Sequence, residues 1–497
     1  MTAHDVEVLP ADARDELFDL AFARITGSWP VDGNGIRLLK DAGENYPAWL
    51  DAIARAERTV HFENYIVADD EVGRDFARAL AERARAGVRV RLLYDWWGSF
   101  RIVPSDFWAR LREAGVEVRA FNPPQPTSPL AWVKRNHRKA IAVDGRIGFV
   151  SGLCVSRAWV GDPAKGIAAW RDTGVELRGP VVADIEDAFA ETWIEAGGRI
   201  PPEDMAGSIA GGMARPAGPV PGGVRVRVIR GRPGRLGVYR LDQLIASAAR
   251  RTLWLTDAYF VASTTFVRAL ADAVRDGVDV RILVPGTSDA PAVQALVRAS
   301  YRPLIEAGIR VFEWNGSMLH AKTAVSDGKW SRIGSTNLNV ASWLTNWELD
   351  VTVEDRGFAE AMEATYLDDL RNATEIVLDD RRRVHPAAPP PRRDDHPDGL
   401  PHRRRLPRRG PERTGSGRRL AAGALGVGNT AGAAITGSRP LSPMEGRVLF
   451  AIGFAMLVLA VLVAAFPLVV VVPLVTALVW FAGSLLLRAW RLWKRRA

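Results

Sequence analysis

Cysteine is nearly absent: one thiol, Cys154, in 497 residues excludes an internal disulfide framework and is compatible with a reducing cytoplasm. It also excludes a cysteine-built zinc site. Histidine is scarce as well. Of seven, only His61, His137 and His320 lie between Gly27 and Asp380, so no histidine-rich metal centre is expected. The opening stretch MTAHDVEVLPADARDELFDL has neither the basic n-region nor the apolar run of a secretory signal, so the N-terminus is expected to stay in the cytoplasm.

Charge is missing altogether from one segment, the 40 residues between Val448 and Leu487. As helix they would measure about 60 Å, twice the ~30 Å hydrocarbon core of a bilayer. Pro467 and Pro473 interrupt the middle, which suits a turn between two short spans, and Trp480, Trp490 and Trp493 suit an interface. The arginines that flank both ends place both on the cytoplasmic side by the positive-inside rule. A transmembrane hairpin is therefore expected over 446–490. Ahead of it, 379–445 is rich in Arg, Pro and Gly and too poor in apolar residues to order itself. The net charge of +9 points to an anionic partner, but thirteen arginines fall between Arg381 and Arg419, so the excess says little about the rest of the chain.

What is present is a repeated pattern. HAKTAVSDGKWSRIGSTN sets His320, Lys322 and Asp327 at the spacing His-x-Lys-x4-Asp and continues to Gly334, Ser335 and Asn337. HRKAIAVDGRIGFVSGLC sets His137, Lys139 and Asp144 at the same spacing, with Ser151, Gly152 and Cys154 in the later positions. If each is a strand, residues two apart share a face, placing an imidazole beside an ammonium that can hold a phosphate oxygen.

The pattern sits inside a longer duplication. HFENYI at His61–Ile66 is answered by WLTDAYF at Trp254–Phe260, the helix expected over Val72–Ala86 by one ending at Gly277, and GVRVRLLYD by GVDVRILVPG. Corresponding positions lie 183 residues apart at the motif histidines and 190 apart at Gly87 and Gly277, which means two similar α/β units rather than a solenoid.

The two motifs resemble those of the phospholipase D superfamily, over roughly 31–378. The resemblance implies two α/β domains, 31–200 and 224–378, joined through 201–223 and preceded by a helical segment over 1–30, with the motif histidines facing each other across one cleft. It implies His137 as the nucleophile on phosphorus and His320 as acid and then base, with Lys139 and Lys322 neutralising the phosphate and Asp144 and Asp327 as structural partners. An acidic residue some way downstream orients an imidazole in this superfamily, and Asp172 and Glu348 occupy that place; Ser335 and Asn337 support the site, and Cys154 is a departure where an asparagine is expected. The resemblance implies no metal or cofactor.

Within the superfamily, DWWGS at Asp95–Ser99, WRDTGVELRGP and DAYFV are most similar to bacterial cardiolipin synthases. That implies transfer of a phosphatidyl group from one phosphatidylglycerol to another with release of glycerol, at a bacterial inner membrane, with the catalytic domains on the cytoplasmic side and no nucleic-acid partner. Familiar synthases of this type carry their hairpin before the catalytic region, whereas here it follows. A hydrolytic phospholipase D would use the same residues, and a membrane-tethered nuclease or an inactive scaffold are the remaining alternatives.

Overall fold

In the computed structural model, residues 11–100, 102–124, 133–205, 217–261, 263–379 and 383–387 are described, together with 480, 482 and 483. Apart from 379, 383–387 and those last three positions, the basic linker and the transmembrane hairpin expected from the sequence lie outside the described residues. No helix among the described residues is long and apolar enough to cross a membrane.

The first half contributes β1 (Val31–Lys40), β2 (Thr59–Asn64), β3 (Arg89–Asp95), β4 (Glu117–Phe121), β5 (Arg135–Asn136), β6 (Ala140–Val143), β7 (Ile147–Ser151) and β8 (Thr173–Arg178). The second contributes β9 (Val224–Gly231), β10 (Thr252–Thr256), β11 (Asp279–Pro285), β12 (Arg310–Trp314), β13 (Thr323–Ser326), β14 (Trp330–Gly334), β15 (Asn346–Glu354), β16 (Ala373–Leu378) and β17 (Val384–Pro386). One sheet runs β4-β3-β2-β6-β7-β8-β1 and the other β12-β11-β10-β13-β14-β15-β9, with β16 and β17 added outside β12. The orders match strand for strand, as the duplication requires. In each half the first three of these strands are parallel and the remaining pairs antiparallel. The sheets meet edge to edge, where the start of β1 pairs with β9 through Val31 and Val226.

Parallel neighbours need a crossover, and a helix supplies it in both halves. The helix Glu71–Arg85 joins β2 to β3; Asp70 caps it by accepting the Gly73 N–H at 2.9 Å, and Phe76 and Leu80 face the core. Its counterpart Thr264–Arg275 is capped by Ser263 and buries Phe266 and Leu270. Each turns into the next strand at a left-handed glycine, Gly87 at φ +90° and Gly277 at φ +89°. The first helix begins and ends one residue before the expected span. The helix Asp41–Ala54 has its start held by the Glu44 carboxylate, which accepts the Lys40 N–H at 2.8 Å.

Each half encloses its own apolar core, and a third cluster built on β6–β8 and β13–β15 lies between them. Val150, Val175 and Leu177 from one side and Ile333, Leu349 and Val351 from the other are all buried there. At about 1.5–3 kcal/mol for each fully buried aliphatic side chain, this layer is enough to hold the two sheets in one orientation.

Asp144 and Asp327 lie in the turns of their own hairpins. Each occupies the first central position of a tight turn at φ +55°, followed by a left-handed glycine, between the two strands of a hairpin. The Asp144 carboxylate accepts the N–H groups of Glu57, Arg58 and Thr59 at 2.8–2.9 Å, and Asp327 accepts those of Arg250, Arg251 and Thr252 at 2.7–3.0 Å. The last residue of each motif thus ties its own hairpin to the start of β2 or β10, away from the imidazoles. Asp327→Ala is expected to lower stability by about 2 kcal/mol in urea denaturation, from unmet backbone donors and strain at positive φ. Asp327→Asn, which keeps an acceptor oxygen and tolerates that φ, should lose clearly less. Equal midpoints for the alanine variant and the parent would refute this role.

Candidate active site

The motif histidines and lysines do not lie within strands as the spacing suggested: His137 and Lys139 lead into β6, and His320 and Lys322 lead into β13. The backbone there is taken up by the other half of the molecule. The His137 N–H donates to the Trp347 carbonyl at 2.9 Å, continuing a short parallel pairing of β5 with the start of β15. The His320 N–H donates to the Arg171 carbonyl at 2.7 Å, and the Arg171 N–H to the Met318 carbonyl at 2.8 Å. Each histidine segment therefore lies beside the acid-bearing segment of the opposite half.

That arrangement crosses the carboxylates. His137 Nδ1 lies 2.9 Å from Glu348 Oε2, and His320 Nδ1 lies 2.8 Å from Asp172 Oδ2. Both acids were expected to orient imidazoles, on their distance downstream within one copy; the observed partner is in the other copy. An ionised carboxylate only accepts, so the pairing with Glu348 puts the proton of His137 on Nδ1 and leaves Nε2 basic; at His320 the shorter contact to Asp172 favours the same tautomer, although Lys322 Nζ also lies 3.0 Å from that Nδ1. The two pairs are completed differently. Ser335 Oγ donates to Glu348 at 2.6 Å, whereas the same place beside Asp172 is filled by Trp159 Nε1 at 2.8 Å. The first copy has Gly152 where the second has Ser335, and a Cβ at Gly152 would meet Asp172 Oδ1 at 2.1 Å. A serine is excluded there, and the tryptophan supplies the missing donor.

Burial governs the charges. His137 is pushed down to about 4 by desolvation, with Glu348 opposing and Lys139 reinforcing the shift. His320 is pushed down to about 3 by desolvation and the nearby Lys322 charge, against Asp172. Lys322 falls to about 8, chiefly through burial. Burial also opposes ionisation of Asp172 and Glu348, yet the contact with each histidine, the lysine charges and the added hydrogen bonds hold both below the usual carboxylate range. Burial thus favours the neutral form of both imidazoles at pH 7. The cause is a desolvated cleft already holding two ammonium groups, and a bound anion would reverse it.

Each lysine donates to the carbonyl of its own motif histidine, and each lies over a tyrosine ring: Lys139 over Tyr65 at 5.1 Å and Lys322 over Tyr259 at 5.9 Å. The same tyrosines meet the imidazoles, Tyr65 at 5.0 Å from His137 and Tyr259 at 6.0 Å from His320. Neither tyrosine was foreseen, although ENY and DAY occupy equivalent places in the duplicated strands. Trp159 and Asp95 were also missed in these roles. Asp95, of the DWWGS segment, accepts the N–H groups of Gly98 at 2.9 Å and Asn136 at 2.8 Å, fixing the residue before His137. Asn337 is buried with its side-chain carbonyl unpaired among the described residues. Cys154, its counterpart, is buried too and lies within electrostatic reach of Lys322. Among the described residues no three His, Cys, Asp or Glu side chains are grouped as metal ligands.

The family model for the phospholipase D-like domain of cardiolipin synthase matches residues 49–162 and 241–370, which takes in both motifs. Cardiolipin synthase A of Pseudomonas aeruginosa is 33% identical over 369 residues, 73% of this chain and 72% of the relative. The chain belongs to the cardiolipin synthase, phospholipase D-like family. Cardiolipin synthase A of Pseudomonas fluorescens is 34% identical over 390 residues, 76% of this chain and 78% of that one. The fold is shared with a crystal structure of phosphatidylserine synthase from Haemophilus influenzae, at a TM-score of 0.53, with 14% identity, covering 68% of this chain and 87% of that one.

The depressed histidines have a measurable consequence. An unfolded histidine binds a proton below about pH 6.5, and these do so in the folded protein only below about 4 and 3, so stability falls as pH drops through that window. By pH 5 the expected loss is about 2 kcal/mol for each histidine, and His320→Asn should make the acid limb of the stability profile shallower. Buried His61, pushed down to about 3 by desolvation and Arg91, adds to the same limb and remains in the variant. Identical profiles for variant and parent would show that His320 titrates normally.

Proposed function

We propose that this chain is a phosphatidyltransferase of the cardiolipin synthase type, joining two phosphatidylglycerols into cardiolipin and glycerol. The observation that carries the proposal is the pair of buried imidazoles, each with a carboxylate from the other half on Nδ1 and a lysine two residues on. A phosphodiester needs a nucleophile that tolerates its negative charge and an acid for its poor alkoxide leaving group. In this proposal the substrate anion is neutralised by Lys139 and Lys322 and raises the affinity of one imidazole for a proton.

His137 Nε2 attacks phosphorus, a P–N bond forms and the P–O bond to glycerol breaks. Protonated His320 gives its proton to the departing glycerol. The second phosphatidylglycerol then loses its hydroxyl proton to the now neutral His320, and its oxygen displaces His137 from phosphorus. Glu348 and Asp172 hold the rings in the required tautomer through both steps. Asn337 contributes a side-chain amide to the phosphate. Integral placement in the bacterial inner membrane is part of the same proposal, supported by the uncharged stretch between Val448 and Leu487.

Vesicles containing labelled phosphatidylglycerol, incubated with purified enzyme and followed by lipid mass spectrometry, test this directly. Cardiolipin with free glycerol is expected, and neither should form with His137→Ala. Phosphatidic acid alone would replace the transferase with a hydrolase. Because the carboxylates are crossed, Asp172→Asn and Glu348→Gln should each lower kcat by roughly 10²–10⁴-fold with little change in KM. A drop confined to KM would remove them from the proton-handling machinery.

A further inference from the structure

Beside the cleft, and separate from the imidazoles, lies a cavity of about 450 Å³ lined by Arg24, Arg230, Arg232, Arg235 and Arg240, with no carboxylate among its lining residues. Arg232 is paired with Glu191, and Arg230 lies 3.9 Å from the same Glu191 and 4.0 Å from Asp187, so these two are partly neutralised from outside the cavity. Arg24, Arg235 and Arg240 are exposed and have no ion pair among the described residues. Five guanidinium groups around one small cavity repel one another, and an arrangement with so few counter-charges favours an anion.

A second feature favours it further. The 12-residue helix Gly237–Ala248 begins at the cavity, and Leu236 at its N-cap offers no side-chain acceptor. Its first N–H groups and the positive end of its dipole are therefore available to a negative ligand. Ile25, Leu236 and Val238 give the same cavity an apolar side. Guanidinium forks suit the paired oxygens of a phosphate, and the apolar side suits the carbon skeleton esterified to it.

The position ties the cavity to the cleft. Gly231 pairs with Glu348 in the β9–β15 ladder, its carbonyl accepts from Arg138 Nη2 at 3.3 Å, and the Gly234 N–H donates to the Leu344 carbonyl at 2.8 Å. A ligand there sits one strand away from the carboxylate that holds His137.

We infer that this arginine cavity is a second phosphate-binding site, which takes the phosphodiester headgroup of an anionic phospholipid. The choice of a lipid rests on the transferase proposal; the choice of a phosphate ester rests on the cavity itself. The test is calorimetric titration of the detergent-solubilised full chain with dihexanoyl phosphatidylglycerol, and in parallel with inorganic phosphate. Two classes of lipid site are expected, one of which weakens at least tenfold in the variant Arg24→Gln, Arg235→Gln, Arg240→Gln. Substitutions at these exposed positions should leave the melting curve in place. Charge reversal at one of them, Arg235→Glu, should weaken the same class. Both classes unchanged in the triple variant would overturn the site. Inorganic phosphate binding the arginine-dependent class as tightly as the lipid would overturn the lipid and leave a free-phosphate site. Displacement of the lipid probe by a short DNA duplex that binds more tightly would overturn both. Loss of transferase activity in the parent assay with arginine-dependent binding intact would sink the transferase reading alone.

Discussion

Two buried hydrogen bonds between an imidazole and a carboxylate, each crossing from one half of the chain to the other, are the constraint on which the rest depends. Neither histidine has its orienting acid in its own half, so the site exists only when β5 lies along β15 and the Arg171 segment along Met318. The interfacial layer of valines, leucines and isoleucines serves that requirement. It must hold two sheets still enough that bonds of 2.8 and 2.9 Å survive between them. The Asp–Gly turns meet the same need from below, since each pins the hairpin that follows a histidine to the strand beside it.

Burial gives these bonds their chemical meaning. In water an imidazole beside a carboxylate would carry a proton much of the time at neutral pH. Here desolvation and two nearby ammonium groups hold both rings neutral. The ground state is a cleft rich in positive charge with two basic lone pairs, and it gains most from a ligand that brings one negative charge. In the proposed mechanism charge sensing and catalysis are then the same event, because the anion that fills the site is the species that makes one ring an acid.

Much of this was legible in the sequence. The duplicated His-x-Lys-x4-Asp spacing located both halves of the site, and the strand-helix-strand alternation with its left-handed glycines gave the fold, because those features are local. Asp172 and Glu348 were also visible as acids, but not which histidine each would serve. Pairing between copies depends on how two sheets dock, and no spacing within one copy carries that. Trp159 shows the limit most clearly. Gly152 in place of a serine left no sign of which group would serve Asp172; the donor came from a turn seven residues on, where only packing brings an indole to the carboxylate. The arginines at 230–240 were likewise overshadowed by the far denser run after Asp380.

The crossed carboxylates also bear on ancestry. A single unit carrying one histidine and one acid could build the same site only by pairing with a second copy of itself, each lending its acid to the other. Fusion of two such genes would free the copies to diverge without losing symmetry at the reacting atoms. The chain bears that mark: serine in one half answers tryptophan in the other, asparagine answers cysteine, and the two Nδ1–carboxylate bonds differ by 0.1 Å. What remains symmetric is the contact of each imidazole with a carboxylate, and what has drifted is the part that surrounds it.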